Sequence, residues 1–201
     1  MPAIVLPVDV ALATRVDRVP TDSGWAHEAK MDGWRATLRT GPRPRVFGRH
    51  GTDLTEPFAD VADAARSLDT AVLDGELVAV LDDGSVAFGR LHTRSAKGLR
   101  RGADYQVVLV AFDVLSIDDV DLRRRPYRER REQLLDLLEN APRPTPIQPV
   151  PMTTDPTEAL AWVGAFGGGI EGVVSKPLES PYAAGRTASG WVEWRASHAT
   201  R

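Results

Sequence analysis

The stretch from Trp25 to Leu38 constrains the fold of this chain most, because apolar and charged residues alternate along it. A period of two residues is typical of a β-strand with one buried face. The dipeptide Asp32-Gly33 interrupts the alternation, and Asp-Gly favours a tight hairpin turn because glycine accepts a positive φ. The pattern therefore predicts a β-hairpin that holds Lys30 on a sheet, just before the turn.

A lysine at such a turn has two interpretations. A nucleophilic amine must be placed at a fixed point, and a sheet provides that placement. A solvated hairpin with a charged edge would contain the same residue types, so this stretch alone does not decide for catalysis. The choice depends on the motifs that follow Lys30 along the chain.

Strand and helix patterns interleave irregularly in the rest of the sequence. Stretches rich in valine and leucine predict strands over 71–81 and 105–115, and the second is apolar enough to be buried on both faces. Leucine spacing predicts a helix over 128–140, and Asp155-Pro156 predicts the capped start of another helix. We therefore expect an α+β fold with at least two sheets in one domain.

The N-terminal residues contain Pro2, Pro7 and Pro20, which predicts an extended lead-in over 1–24 before a folded domain over 25–201. No run of 18 apolar residues is present and no basic region precedes the first apolar patch, so we expect no membrane span and no signal peptide. Without cysteine the chain has no disulfide, thiolate metal site or cysteine nucleophile. These features fit a cytoplasmic protein.

The net charge of −3 gives no bulk support for nucleic-acid binding, so contact with DNA would depend on local arginine clusters. Two clusters lie over 39–49 and 94–101, and the second includes Lys97. A third cluster, over 123–131, is interleaved with Glu129 on the predicted helix. That interleaving favours a solvated helix face.

Five short motifs follow Lys30-Met31-Asp32-Gly33-Trp34-Arg35 in the chain. They are Gly48-Arg49-His50-Gly51, Asp74-Gly75-Glu76, Phe112-Asp113, Glu171-Gly172 continuing to Lys176, and Trp191-Val192-Glu193-Trp194-Arg195. Each motif is weak alone, but in this order they resemble the adenylation domain of the covalent nucleotidyltransferases. That superfamily contains ATP-dependent DNA ligases, RNA ligases and mRNA capping enzymes. Within it, the chain is most similar to DNA ligases of the bacterial end-joining type.

The resemblance implies a specific fold and reaction. It implies two antiparallel-rich sheets flanked by helices, with a nucleotide groove between the sheets and the nucleotidyltransferase domain over 25–201. It also implies that Lys30 attacks the α-phosphorus of ATP and carries AMP, with Mg²⁺ as the second cofactor. The AMP would serve the sealing of nicked or broken DNA in repair and recombination.

The resemblance further implies a set of site residues. The expected nucleotide-binding residues are Glu28, Lys30, Arg35, Arg49, Glu76, Phe112, Lys176 and Arg195. In this set the ring of Phe112 stacks on adenine, and Glu76 accepts a hydrogen bond from the ribose. Glu171, with Glu76, is the expected Mg²⁺ ligand, while Lys176 and Arg195 lie on the phosphate side. From burial statistics alone, Phe112 in an apolar strand is more often a core residue.

Two features depart from the family pattern. The last motif usually reads Trp-x-Lys-x-Lys, but here Glu193 and Arg195 occupy the lysine positions, and Ser189 stands where many relatives have arginine. Strand alternation places Glu193 and Arg195 on one face, so we expect them to pair partly. A negative charge beside the triphosphate predicts slow adenylation of Lys30.

The second departure is the end of the sequence at Arg201. Active DNA ligases continue into an OB-fold domain, which needs five strands. The expected partners are therefore nicked or broken DNA and an OB-fold domain or end-joining proteins acting in trans.

Two alternative functions stay open on the sequence. A non-catalytic nucleotide- or DNA-end-binding relative would keep the groove and lose turnover, and an RNA ligase would apply the same chemistry to another substrate. The choice of ATP over GTP rests on the resemblance.

Overall fold

The computed structural model describes residues 4–94, 104–185 and 187–196. In chain order its strands are β1 (Thr14–Arg15), β2 (Trp25–Met31), β3 (Trp34–Arg39), β4 (Arg45–Gly48), β5 (Ala71–Leu81), β6 (Tyr105–Ile117), β7 (Val120–Asp121), β8 (Ile147–Pro149), β9 (Met152–Thr153), β10 (Ile170–Pro177) and β11 (Val192–Arg195). Its helices are α1 (Ala59–Ala64), continued by a 3₁₀ turn, α2 (Gly89–Arg94), α3 (Tyr127–Glu139), α4 (Pro156–Ala161) and α5 (Ala165–Gly168).

The strands form two sheets. One has five strands in the order β1-β11-β10-β2-β9, and the other has the order β4-β3-β5-β6-β7 with β8 beside β6. The strand pairs are antiparallel except β1 with β11 and β6 with β8, within the part of the chain that the structure describes. The predicted α+β class with two antiparallel-rich sheets is confirmed.

The predicted hairpin over Trp25 to Leu38 is wrong, because β2 and β3 belong to different sheets. β2 pairs with β10 and β9, whereas β3 pairs with β4 and β5. At Asp32-Gly33 the chain crosses from one sheet to the other, and a Cβ on Gly33 would lie 2.2 Å from the carbonyl oxygen of Leu77. Glycine is therefore required here for a close backbone approach to β5.

The long elements follow their sequence patterns. β5 covers the predicted stretch, β6 continues past Leu115 to Ile117, and α3 begins one residue before the predicted start at Arg128. Asp155 caps α4 as predicted, since its carboxylate accepts a hydrogen bond from the Thr157 amide at 2.8 Å.

The main apolar core lies where the larger sheet packs against α1 and α3. Its fully buried leucines include Leu38, Leu73, Leu77, Leu109 and Leu134. Each such side chain stabilises the fold by about 1.5–3 kcal/mol. A smaller cluster combines Val78 and Val110 of the larger sheet with Ile170 of the smaller one, so the two sheets are in contact there.

Residues 4–24 pack onto this body. Val10, Ala11 and Val19 are buried, and β1 extends the smaller sheet beside β11. The boundary at residue 24 stays a prediction. The arginine cluster over 94–101, with Lys97, lies outside the described residues except for Arg94, which is buried. None of the described helices is long and apolar enough to cross a membrane.

Candidate functional site

A groove of about 930 Å³ lies between the two sheets and is lined by residues of both. It brings together residues from all six sequence motifs. The predicted site residues on its wall are Glu28, Lys30, Arg35, Arg49, Glu76, Phe112, Glu171, Lys176 and Arg195, and Glu193 joins them. Positions far apart in the chain thus meet in one cavity.

Lys30 lies in a ring of four alternating charges inside this groove. Its Nζ is 2.6 Å from Glu171 Oε1 and 3.6 Å from Glu193 Oε2. Arg195 closes the ring, with Nη1 3.5 Å from Glu171 Oε2 and Nε 3.6 Å from Glu193 Oε1. The expected partial pairing of Arg195 with Glu193 is confirmed. The ring is only partly exposed, because the side chains of Lys30 and both acids are below one fifth exposed.

The strand register explains how the ring forms. Gly172 of β10 is opposite Lys30 of β2 on one side and opposite Arg195 of β11 on the other. A Cβ on Gly172 would lie 2.1 Å from the Trp194 carbonyl oxygen, so only glycine lets β11 approach this closely. The register with β2 shifts between Ile170 and Gly172, which places Glu171 in a bulge. Bulges redirect side chains, and here the redirected carboxylate contacts the lysine.

Lys176 is fully buried, and protein groups satisfy its ammonium. Its Nζ lies 2.8 Å from Glu28 Oε2 and donates to the Phe112 carbonyl oxygen at 2.9 Å. Burial lowers the pKa of Lys176, while the charges of Glu28 and Asp113 oppose that effect. The assignment of Lys176 to the phosphate side stays a prediction.

Tyr127 is fully buried and supports this site through Glu28, a contact that the sequence did not reveal. Its hydroxyl donates to Glu28 Oε1 at 2.5 Å, so both carboxylate oxygens of Glu28 have partners. Burial raises the pKa of Tyr127 well above its usual value, and the charge of Glu28 adds to this. The two residues are 99 positions apart, and no local pattern relates them.

Arg35 is anchored on protein groups at the groove wall. Its guanidinium donates two hydrogen bonds to the Asp74 carboxylate, each 2.6 Å long, and one to the Ala11 carbonyl oxygen at 3.0 Å. Tyr182 donates a further hydrogen bond to Asp74 at 2.6 Å. This network joins the lead-in to both β3 and β5. Direct contact of Arg35 with a ligand stays a prediction.

Phe112 and Arg49 both line the groove, but they differ in how far they are buried. The half-buried ring of Phe112 lines the groove and also packs against two apolar clusters, and the Arg35 guanidinium carbon lies 4.5 Å from its centre. Arg49 follows β4 and is exposed at the groove wall. Phe112 therefore combines packing with access to the groove.

Glu76 lies opposite Arg35 in the ladder between β5 and β3. Burial raises the pKa of Glu76 to about 7, against the opposing charges of Arg35 and Lys30. Glu76 and Glu171 supply two carboxylates in one groove. Mg²⁺ is commonly bound by one or two carboxylates together with substrate phosphates, so these residues fit a metal that arrives with a nucleotide. No group of three metal-ligating side chains occurs among the described residues.

The stability of the domain is expected to fall as pH rises from about 4.5 to 7 because of Glu76. In that range the folded protein keeps a proton that the unfolded chain, with its ordinary pKa of 4.5, has released. By about pH 7 the free energy of unfolding has fallen by about 3 kcal/mol through this effect. Glu76→Gln should remove this part of the pH dependence. Urea unfolding of both proteins across the range measures it. Identical pH dependence in parent and variant would contradict the prediction.

Comparison with known proteins gives a consistent result. A family model described as ATP dependent DNA ligase domain matches residues 10–194. DNA ligase 2 of Haloquadratum walsbyi is 34% identical across 93% of this chain and 32% of its own length. DNA ligase C1 of Mycolicibacterium smegmatis is 30% identical across 90% of this chain and 54% of its own length.

Solved structures agree with these relatives. The ligase domain of LigD from M. tuberculosis shares 31% identity at a TM-score of 0.73, covering 92% of this chain and 58% of that one. A mycobacterial DNA ligase D complexed with ATP and MES shares 29% identity at a TM-score of 0.71, covering 93% and 60%. The chain spans about a third to a half of the curated relatives named here. It belongs to the ATP-dependent DNA ligase family and is an adenylation domain of that family.

Proposed function

We propose that this domain transfers AMP from ATP to Lys30, as the first step in sealing nicked or broken DNA. The observation that carries the proposal is the position of the Lys30 amine, in a groove between the sheets and 2.6 Å from Glu171. Fixed placement on β2, with an arginine nearby, is what a nucleophilic attack on phosphorus requires.

Each neighbouring residue has a defined part in the proposed reaction. Glu171 orients the amine of Lys30, and the guanidinium of Arg195, which pairs with Glu171, would stabilise negative charge that develops on the phosphate. Glu76 accepts a hydrogen bond from a ribose hydroxyl. A Mg²⁺ ion bound with ATP would stabilise the departing pyrophosphate.

The base would lie beside Phe112 and Glu28, which both line the groove and are bridged by the Lys176 ammonium. Tyr127 and Lys176 occupy both carboxylate oxygens of Glu28, so we assign the reading of the adenine edge to the backbone around Glu28 rather than to its side chain. The ring of Phe112 offers a stacking surface.

Intact mass tests the proposal directly. The protein is incubated with ATP and Mg²⁺, with pyrophosphatase to remove the product, and a gain of one AMP is expected. Peptide mapping should locate the AMP on Lys30. A protein that binds ATP without any mass gain would instead be the non-catalytic nucleotide-binding relative.

Phe112→Ala is expected to weaken ATP binding by about 1–3 kcal/mol, because a stacking surface is lost. Stability should also fall, since the ring packs against two apolar clusters. Phe112→Leu is the control that keeps apolar bulk without the aromatic face. Calorimetric titration and urea unfolding of both variants separate the effects. Unchanged affinity in Phe112→Ala, with a stability loss of about 3–5 kcal/mol, would assign the ring to the core alone.

Nicked DNA is the proposed acceptor of the AMP, and binding by this chain alone should be weak and strongly salt-dependent. The arginines of the first cluster, over 39–49, are exposed, but Arg45 is paired with Asp53 and the net charge is −3. Fluorescence anisotropy on nicked duplex at about 50 to 200 mM salt measures this. Arg49→Gln should reduce the salt slope by about one. Tight binding at physiological salt would contradict the prediction.

The remaining partners belong to the same proposal. An OB-fold domain or end-joining proteins acting in trans would supply further phosphate contacts and orient the pyrophosphate. A cytoplasmic location fits the lack of cysteine in the chain.

A further inference from the structure

The acid in the last motif contacts the reacting atom itself. Glu193 Oε2 lies 3.6 Å from Lys30 Nζ, and its other oxygen lies 3.6 Å from Arg195 Nε. The side chain is 18% exposed, so water screens it only in part. Glu171 is nearer to the amine, at 2.6 Å, so Glu193 is the more distant of its two carboxylate partners.

The ring has no net charge only while Lys30 carries no AMP. Lys30 and Arg195 carry two positive charges, and Glu171 and Glu193 carry two negative ones. In the proposed reaction the ammonium loses one proton to solvent, and the freed lone pair forms the Nζ–Pα bond as the bond from Pα to the bridging oxygen breaks. The nitrogen then releases a second proton to solvent, which leaves a neutral phosphoramidate nitrogen. The electron pair of that bond leaves with pyrophosphate. The lysine charge disappears and one phosphate charge is added, so the site becomes more negative by two charges.

The new negative charge forms next to Glu193. The free oxygens of the adenylate phosphate are two bonds from Nζ, the atom that Glu193 contacts. An acid that attracts the ammonium of the free enzyme therefore repels the phosphate of the product. At the effective dielectric of a protein surface, like charges this close change an equilibrium by about tenfold or more.

We propose that Glu193 sets the equilibrium between unmodified Lys30 and its adenylate. It stabilises the unmodified enzyme and destabilises lysyl-AMP. The proposal rests on the proposed function and goes beyond it, because it concerns how readily the AMP leaves. Lysyl-AMP in this domain is poised for discharge, either back to pyrophosphate or onward to a phosphate acceptor. Arg195 neutralises part of the repulsion and keeps the step reversible.

The equilibrium is measured as the fraction of protein that carries AMP, by intact mass, at fixed ATP and Mg²⁺ and increasing pyrophosphate. Glu193→Gln should need about tenfold more pyrophosphate than the parent to reach half adenylation. Glu193→Asp keeps the charge on a shorter side chain and should lie closer to the parent than Glu193→Gln does. Glu179→Gln removes an exposed acid that pairs with Arg128 outside the groove, and it should follow the parent. An unchanged or lower requirement in Glu193→Gln would overturn the proposal.

Binding of AMP and adenosine without ATP provides a second readout, which does not depend on the covalent step. Glu193→Gln should bind AMP several-fold more tightly than the parent, and adenosine equally well, because only AMP brings a phosphate near position 193. If the parent gains no AMP from ATP, the proposed function fails, and this comparison alone decides the role of Glu193. An AMP-to-adenosine affinity ratio that is the same in parent and variant would overturn it.

Discussion

Replacing Lys30 by alanine is expected to abolish the covalent gain of AMP. The chain has only three lysines, Lys30, Lys97 and Lys176, so few amines compete for the role. Lys176 is fully buried and paired with Glu28, and its amine therefore has no free path to an α-phosphorus. Lys30 alone among the described lysines has a partly exposed amine in the groove.

The measurement is intact mass and labelled-AMP retention after incubation with ATP and Mg²⁺. Lys97→Ala is the control and should retain the full mass gain. Lys30→Arg keeps a positive charge beside Glu171 and should also fail to form the covalent AMP adduct, because a guanidinium is not a nucleophile at neutral pH. Adenylate trapped on Lys97 or Lys176 in the parent protein would contradict the assignment.

Arg130→Met is expected to destabilise the domain by about 3–5 kcal/mol. Arg130 on α3 and Asp113 on β6 are both fully buried, and two hydrogen bonds of 2.8 and 2.9 Å join them. Removing the guanidinium leaves the Asp113 carboxylate uncompensated apart from Lys176 at 4.0 Å. It also removes the donor to the Ser180 carbonyl oxygen at 3.0 Å.

The matched control lies on the same helix. Arg128 pairs with Glu179 at 2.6 Å, but both side chains are at least half exposed. Arg128→Met should therefore cost no more than about 1 kcal/mol. Urea unfolding of both variants compares a buried with an exposed ion pair at nearly the same place. Equal losses in the two variants would show that the Arg130 pair contributes no more than a surface pair.

Local patterns predicted the elements whose burial is periodic. β5 and α3 match their predicted ranges closely, since valine-rich and leucine-rich stretches report burial directly. The nucleophile candidate was also evident, because the motif order around Lys30 is a property of the chain. The fold class and the family followed from these features and are confirmed by the two sheets and by the family model.

Partner choice was decided only by the tertiary structure. Alternation from Trp25 to Leu38 is the same whether the two strands pair with each other or with different sheets, and the close approach of Gly33 to β5 selects the second arrangement. The sequence by itself thus determined the long strands and the order of the motifs that include Lys30. It did not determine that a bulge turns Glu171 toward Lys30, or that Tyr127 caps Glu28. Those contacts join distant segments, and their energies depend on packing that no local pattern records.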